Sequence, residues 1–388
     1  MTVALLTGPQ DPSQLIGTIN GVIQDINSST LQGSSAPTSL RNAVIGGDFQ
    51  TNPWQRGTSF TGITNTLTYT ADRFWALGGA SSSISVSQQT GSALPGFPAY
   101  ARFGRAAANA DTTAIKFGQV LTSDNSYRFQ GQPFVISFYV RAGATFSAAS
   151  SALSVTLATG TGTDESAVNF AAGSWTGYAA ATLYNSTGSA GSTATLTTSF
   201  QRVVFSGVIP TTATQIGFNV AYTPVGTAGA SDYVEMTGFQ LEVMPQGGGT
   251  PTPFEWRPAS MERALCQSYY YRLTEGQNTA KQLQGQVNST TVASILLRFP
   301  VPMRSVTTTS VTATAASAGT WGLTAVGGAV TGSLASSGGL AFAANSFTST
   351  SAVLTATLSQ ASLTAAGNTT MLIAGSGGTG TISVSAEL

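Results

Sequence analysis

Few residues in this chain can carry chemistry. Among 388 residues there is no histidine and one cysteine, Cys266. Without histidine, Ser-His-Asp and Cys-His relays are excluded, and the commonest general base and metal ligand is missing. A single cysteine forms neither an internal disulfide nor a cysteine-cluster zinc site. Cys266 lies between Leu265 and Gln267 in a stretch that reads as a short amphipathic helix. A small buried apolar role is expected for it, rather than a reactive thiol. Carboxylates remain, and a pair of them can hydrolyse glycosides without histidine. The candidates are Asp48, Asp72, Asp111, Asp164, Glu165, Asp232, Glu235, Glu242, Glu255 and Glu262, scattered along the chain. Asp164 and Glu165 are adjacent, so a strand would turn them to opposite faces and a loop would leave them solvated. No repeat of the kind that builds a parallel β-helix is visible. The glycine-rich run Gly375-Ser-Gly-Gly-Thr-Gly opens no helix after a strand, so it reads as turns rather than a phosphate cradle. The expectation is a chain that is not an enzyme and uses no cofactor.

Aromatic side chains are the better candidates for binding, because the apolar face of a sugar stacks on an indole or phenol ring. Trp54, Trp175 and Tyr178 are the glycan-contact candidates. Trp175 and Tyr178 fall in Gly173-Ser-Trp-Thr-Gly-Tyr, which reads as a loop. Aromatics there serve either a ligand or a neighbouring subunit. Trp75, in Arg73-Phe-Trp-Ala-Leu, reads as part of a core strand.

The elements that position these residues are mainly β. Charged residues make up 8% of the chain, against about 25% in an ordinary soluble domain. Surface polarity therefore comes from Ser, Thr, Asn and Gln, and threonine suits a pleated surface. Lys+Arg and Asp+Glu each count 15. A net charge of zero excludes the basic surplus on which nucleic-acid binding rests. No run reaches the roughly 18 apolar residues that span a bilayer, so no membrane insertion is expected. The opening segment, residues 1–9, has neither a basic residue nor a long apolar run, and reads as no secretory signal.

Residues 1–40 stand apart. Leu15, Ile19, Val22 and Ile26 recur at spacings of four, three and four, which makes a heptad seam. β-Branched residues at its core positions point to three strands or more, so a coiled-coil-like, self-associating segment is expected, as a homotrimer. A Gly/Ser/Pro linker over residues 30–40 follows. Short strands then alternate with turn residues, as in Phe134-Val-Ile-Ser-Phe-Tyr-Val and Arg202-Val-Val-Phe-Ser-Gly-Val. Many short strands without intervening helices predict sandwiches or barrels. The Gly- and Pro-rich stretch that starts at Met244 divides the chain. The predicted organisation is a β-sandwich over 41–246 and a second β-sandwich over 247–388, the latter dominated by small side chains.

Two stretches carry a family resemblance. Asn42-Ala-Val-Ile-Gly-Gly-Asp-Phe-Gln-Thr-Asn-Pro-Trp-Gln-Arg-Gly and the strands beginning at Tyr69, Gln130, Phe200 and Tyr233 resemble carbohydrate-binding-type jelly-roll modules of phage tail proteins. Thr252-Pro-Phe-Glu-Trp-Arg-Pro, Glu262-Arg-Ala-Leu-Cys-Gln-Ser-Tyr-Tyr-Tyr-Arg and Ser385-Ala-Glu-Leu resemble the C-terminal region of phage tail-fibre and minor virion proteins. The resemblance covers residues 42–388. It implies a jelly-roll first sandwich and a virion protein, assembled in the host cytoplasm and released by lysis. Residues 1–40 would contact other virion proteins, and the outer domains a host-surface glycan or lipopolysaccharide. A capsid head fibre or decoration protein, and a polysaccharide-degrading tail enzyme, are the alternatives. Such modules often hold calcium between their first and last strands, where Asp48 and Glu242 fall. Two carboxylates are too few for a calcium site by themselves.

Overall fold

The computed structural model describes residues 40–244, 250–275, 283–305, 312–315, 321–325, 330–333, 340–343, 346–358, 369–374 and 380–388. The heptad residues Leu15, Ile19, Val22 and Ile26 lie outside them. The protein is mainly β, as the strand pattern predicts. In chain order the first half forms β1 (Ser59–Ile63), β2 (Thr68–Tyr69), β3 (Trp75–Leu77), β4 (Ile84–Leu94), β5 (Phe97–Arg105), β6 (Ile115–Val120) and β7 (Pro133–Ala142). These are followed by β8 (Ala152–Gly160), β9 (Ala179–Ala180), β10 (Tyr184–Asn185), β11 (Thr193–Thr195), β12 (Gln201–Val208), β13 (Gln215–Tyr222) and β14 (Tyr233–Val243). Two short helices, α1 (Ser123–Ser126) and α2 (Ala167–Ala172), interrupt them.

These strands make two antiparallel sheets, one in the order β1-β4-β5-β14-β7-β12-β10 and the other β11-β8-β13-β6-β3-β2. Period-two alternation decides their faces. On β7, Phe134, Ile136, Phe138 and Val140 enter the core, as do Val203 and Phe205 on β12 and Ile216, Phe218 and Val220 on β13. The Phe138 and Phe239 rings stack at 4.6 Å, and Phe74 stacks on Phe117 at 5.1 Å. Aromatic packing of this kind adds to the area term.

The sandwich is completed from an earlier stretch of chain. β14 pairs with β5 only over Tyr233–Met236. At Gly238 the backbone is left-handed, with φ +67, and the ladder register shifts. Beyond it, Ala43 donates to Leu241 O at 2.8 Å and Phe239 donates to Gly47 O at 3.0 Å. Asn52 then ties this segment to the loop before β3. Its Nδ2 donates to Gly46 O and Asp72 O, and its Oδ1 accepts from Trp54 N and Asp72 N.

The second half forms α3 (Ala259–Gln267), β15 (Tyr270–Glu275), β16 (Leu283–Val287), β17 (Val292–Arg298), β18 (Thr312–Ala315), β19 (Trp321–Ala325), β20 (Val330–Ser333), β21 (Leu340–Phe342), β22 (Ser351–Thr357), β23 (Thr369–Ala374) and β24 (Gly380–Ser385). Its sheets run β15-β24-β18 and β20-β19-β23-β16-β17-β22-β21. They share a core of Leu283, Ile295, Leu297, Leu354, Ile382 and Val384. Alanines 293, 352 and 356 are fully buried within it.

An ionic cluster joins the two halves. Arg73, 1% exposed, donates to Glu387 and, at 2.6 Å, to Val120 O, and its guanidinium lies 3.6 Å from the Tyr269 ring centre. Arg56 reaches Asp72 at 3.3 Å and Glu387 at 3.2 Å. Arg304 bonds Asp164 Oδ2 and the carbonyl of Ala386. Burial pushes the Asp72 carboxyl up to about 6 even with Arg56 beside it. Cys266, at the end of α3, is fully buried against Ile45 and Tyr269, and burial raises its thiol. Among the described residues, no helix is long and apolar enough to cross a membrane.

Candidate functional site on the open face of the first sheet

The two tryptophans proposed for sugar stacking are used in packing. Trp54 is 5% exposed and its Nε1 donates to Phe49 O at 3.0 Å. Trp175 is 3% exposed, donates from Nε1 to Ser166 O at 3.0 Å, and packs 4.9 Å from the Phe170 ring. The cause is α2. Ser166 caps its N-terminus by accepting from Asn169 N, and Gly173 ends it in the left-handed conformation. That turn folds the following segment back onto Phe170. Tyr178 stays half-buried at the rim of this cluster. In this structure neither indole keeps a face for a sugar.

The carboxylates are taken up by neighbouring donors. Asp48 accepts from Thr51 N and Oγ1, and burial raises its carboxyl. Glu242 accepts from Thr252 N and Oγ1 and from Gln240 Nε2. No group of three or more potential metal ligands forms among the described residues. Asp164 faces Ser123 N and Arg304, whereas Glu165 faces Gln215 and Thr176. The adjacent pair thus diverges.

The surface with binding character is the outer face of the β7-containing sheet. Residues alternating with the core positions share that face, and the register fixes their neighbours. Arg102, Glu235 and Arg141 stand in line across β5, β14 and β7. Glu235 is 1% exposed and accepts from Arg102 Nε at 2.9 Å and Arg141 Nε at 2.6 Å. The Arg102 and Arg141 side chains remain 34% and 27% exposed. Arg102 lies over Tyr233 at 4.1 Å, and Arg141 over Phe200 at 4.6 Å. One step along the strands, Tyr139 pairs with Arg202. The guanidinium of Arg202 donates to Ser137 Oγ at 3.1 Å and to Thr252 O at 2.7 Å.

At the β10–β12 edge this face sinks into a cavity of about 630 Å³, lined by Asn185, Thr187, Arg202, Val204, Ser206 and Met244 among others. Tyr184, directly across from Ser206, is 43% exposed. It lines a second hollow, of about 350 Å³, with Thr182, Val208 and Pro210. An exposed phenol in one hollow, next in the chain to Asn185 of the other with its hydroxyl, amide and guanidinium groups, offers the chemistry a saccharide uses: apolar stacking plus directional hydrogen bonds. Sequence reasoning missed Tyr184, which sits between buried Leu183 and Asn185 with no local signal of exposure.

No family model matches the chain, and no curated protein matches it. Several solved structures are similar, two of which are described. One is the enzymatically active domain of tailspike protein 4 from bacteriophage CBA120, at 10% identity and a TM-score of 0.29, covering 53% of this chain and 22% of that one. The other holds the CBM22-1-GH10 modules of the N-terminal endo-1,4-beta-D-xylanase 10B of Clostridium thermocellum, complexed with xylohexaose. It is 9% identical with a TM-score of 0.27, covering 48% of this chain and 29% of that one. This chain thus spans less than a third of either. The expectation that the chain is not an enzyme is corrected to an open question of carbohydrate-degrading activity, because both of these structures hold enzyme modules. The absence of histidine removed histidine relays but left carboxylate chemistry open.

Proposed function

We propose that the chain is a tail component of a bacterial virus that holds a host-surface glycan on the open face of its first sheet. The observation that carries the reading is the 630 Å³ cavity beside exposed Tyr184, with Asn185, Thr187 and Ser206 as neutral hydrogen-bonding partners. The low charge content and the resemblance over residues 42–388 support a particle protein. In this reading residues 1–40 attach the chain to other virion proteins and associate it as a homotrimer through Leu15, Ile19, Val22 and Ile26. Host lipopolysaccharide or capsule supplies the glycan.

The test is adsorption of particles carrying Tyr184→Ala together with Ser206→Val. Loss of a stacking ring and a hydrogen bond is expected to weaken glycan binding by about tenfold or more. Unchanged adsorption removes this face as the contact surface. Release of new reducing ends from the same polysaccharide reads out degradative activity in parallel. Labelled chain on the capsid rather than the tail would favour a head fibre.

A further inference from the structure

We infer that this face selects an acidic polysaccharide, one whose sugars carry carboxylate or phosphate groups. The inference rests on the glycan-contact reading and adds the ligand's charge. Three guanidiniums, those of Arg102, Arg141 and Arg202, share the face with one carboxylate, Glu235. Two positive charges are left over, on a chain whose net charge is zero. The nearby Glu242 is matched by a fourth arginine, Arg41, at 3.9 Å, so the surplus of two is unchanged.

Arg202 is the most telling of the three. Among the described residues no carboxylate lies within 4.0 Å of it. Its Nη2 is spent on Ser137 and Thr252, and its Nε is buried without a partner. Arg202 lines the cavity, and among the described residues its Nη1 makes no hydrogen bond. Outside the cavity, Nη1 of Arg102 and both Nη atoms of Arg141 likewise make no hydrogen bond among the described residues, since the bonds to Glu235 use the other nitrogens. A guanidinium held by neutral acceptors, with no counter-ion and one free edge, is a ready partner for an oxyanion. The Tyr233, Phe200 and Tyr139 rings beside the three arginines give sugar rings an apolar footing. The arginines run across four strands, so the fitting ligand is an extended chain with repeated acidic groups rather than a single anion.

The experiment titrates the full chain at physiological ionic strength with polygalacturonate, with its carboxyl-reduced form, and with glycerol-phosphate teichoic acid. Polygalacturonate is expected to bind about tenfold more tightly than the reduced polymer. Arg202→Gln should weaken polygalacturonate binding far more than binding of the reduced polymer and so erase most of that preference, while Arg202→Lys, which keeps charge but not the planar fork, should retain part. Removing Arg202 strands no buried carboxylate, so the variant is expected to fold, and circular dichroism checks this. Tighter binding of teichoic acid sustains the acidic assignment with phosphate as the group. Equal binding of the acid and reduced polymers overturns the inference and leaves the glycan reading standing. An acid preference that survives Arg202→Gln also overturns it. Binding of none of the three overturns both.

Discussion

Replacing Glu387 by alanine should unlock the junction between the two halves. Glu387 is the carboxylate partner of Arg73, and their side chains are 5% and 1% exposed. Removing it leaves the guanidinium of Arg73 desolvated, with Val120 O and the Tyr269 ring as its remaining partners and its Nε already unpaired. Breaking a buried pair from one side costs about 3–5 kcal/mol, because an uncompensated charge stays inside. Arg56 softens the loss only for itself, since it retains Asp72. Urea unfolding followed by tryptophan fluorescence is a direct assay, since Trp54, Trp75 and Trp175 are all buried in the first sandwich. The double replacement Arg73→Met with Glu387→Leu removes both charges and should recover most of the loss, ending within about 1 kcal/mol of the parent. If Glu387→Ala costs less than about 1 kcal/mol, or if the double variant is worse than the single one, the reasoning about the buried pair is refuted.

Asp72 gives a pH signature. Its folded carboxyl titrates near 6, above its ordinary value of 3.8, so the native state binds the extra proton. The resulting stability is present at low pH and is lost as pH rises through about 6, by at most about 3 kcal/mol. Unfolding midpoints between pH 4 and 7 should lose that slope in Asp72→Asn, and an unchanged slope would discount the group. Trp175→Ala should cost about 3–5 kcal/mol of stability and leave polysaccharide affinity intact, because the indole is packing. Lost binding with unchanged stability would contradict its burial.

The strand pattern was readable in the long strands. Arg202 to Val208 alternates between core and surface, whereas Phe134 to Phe138 is buried at every position and was legible from its apolar and aromatic run; both strands lie inside the sheet. Two- and three-residue strands such as β2, β9 and β10 are too short to show a period. Trp175 misled for a specific reason. Gly173-Ser-Trp-Thr-Gly-Tyr has loop composition, but the six-residue helix before it, ended by left-handed Gly173, folds the indole inward. The candidate site could not be read at all. Arg102, Arg141, Arg202 and Glu235 are separated by dozens of residues in sequence, and only the strand order β5-β14-β7-β12 sets them on one face. Reading the chain as non-enzymatic leaned on the missing histidine, which excludes histidine relays but leaves carboxylate chemistry open.

The Arg73–Glu387 pair also bears on how the protein reaches its native state. Its members are 314 residues apart. A nascent chain can therefore collapse its first sandwich long before that arginine finds its counter-ion. Contacts of such separation form late and slow the final step. Until β24 docks, the intermediate carries an unsatisfied cation and the uncovered ring of Tyr269. Truncation anywhere in the second half would halt maturation at that stage, leaving a species prone to aggregate.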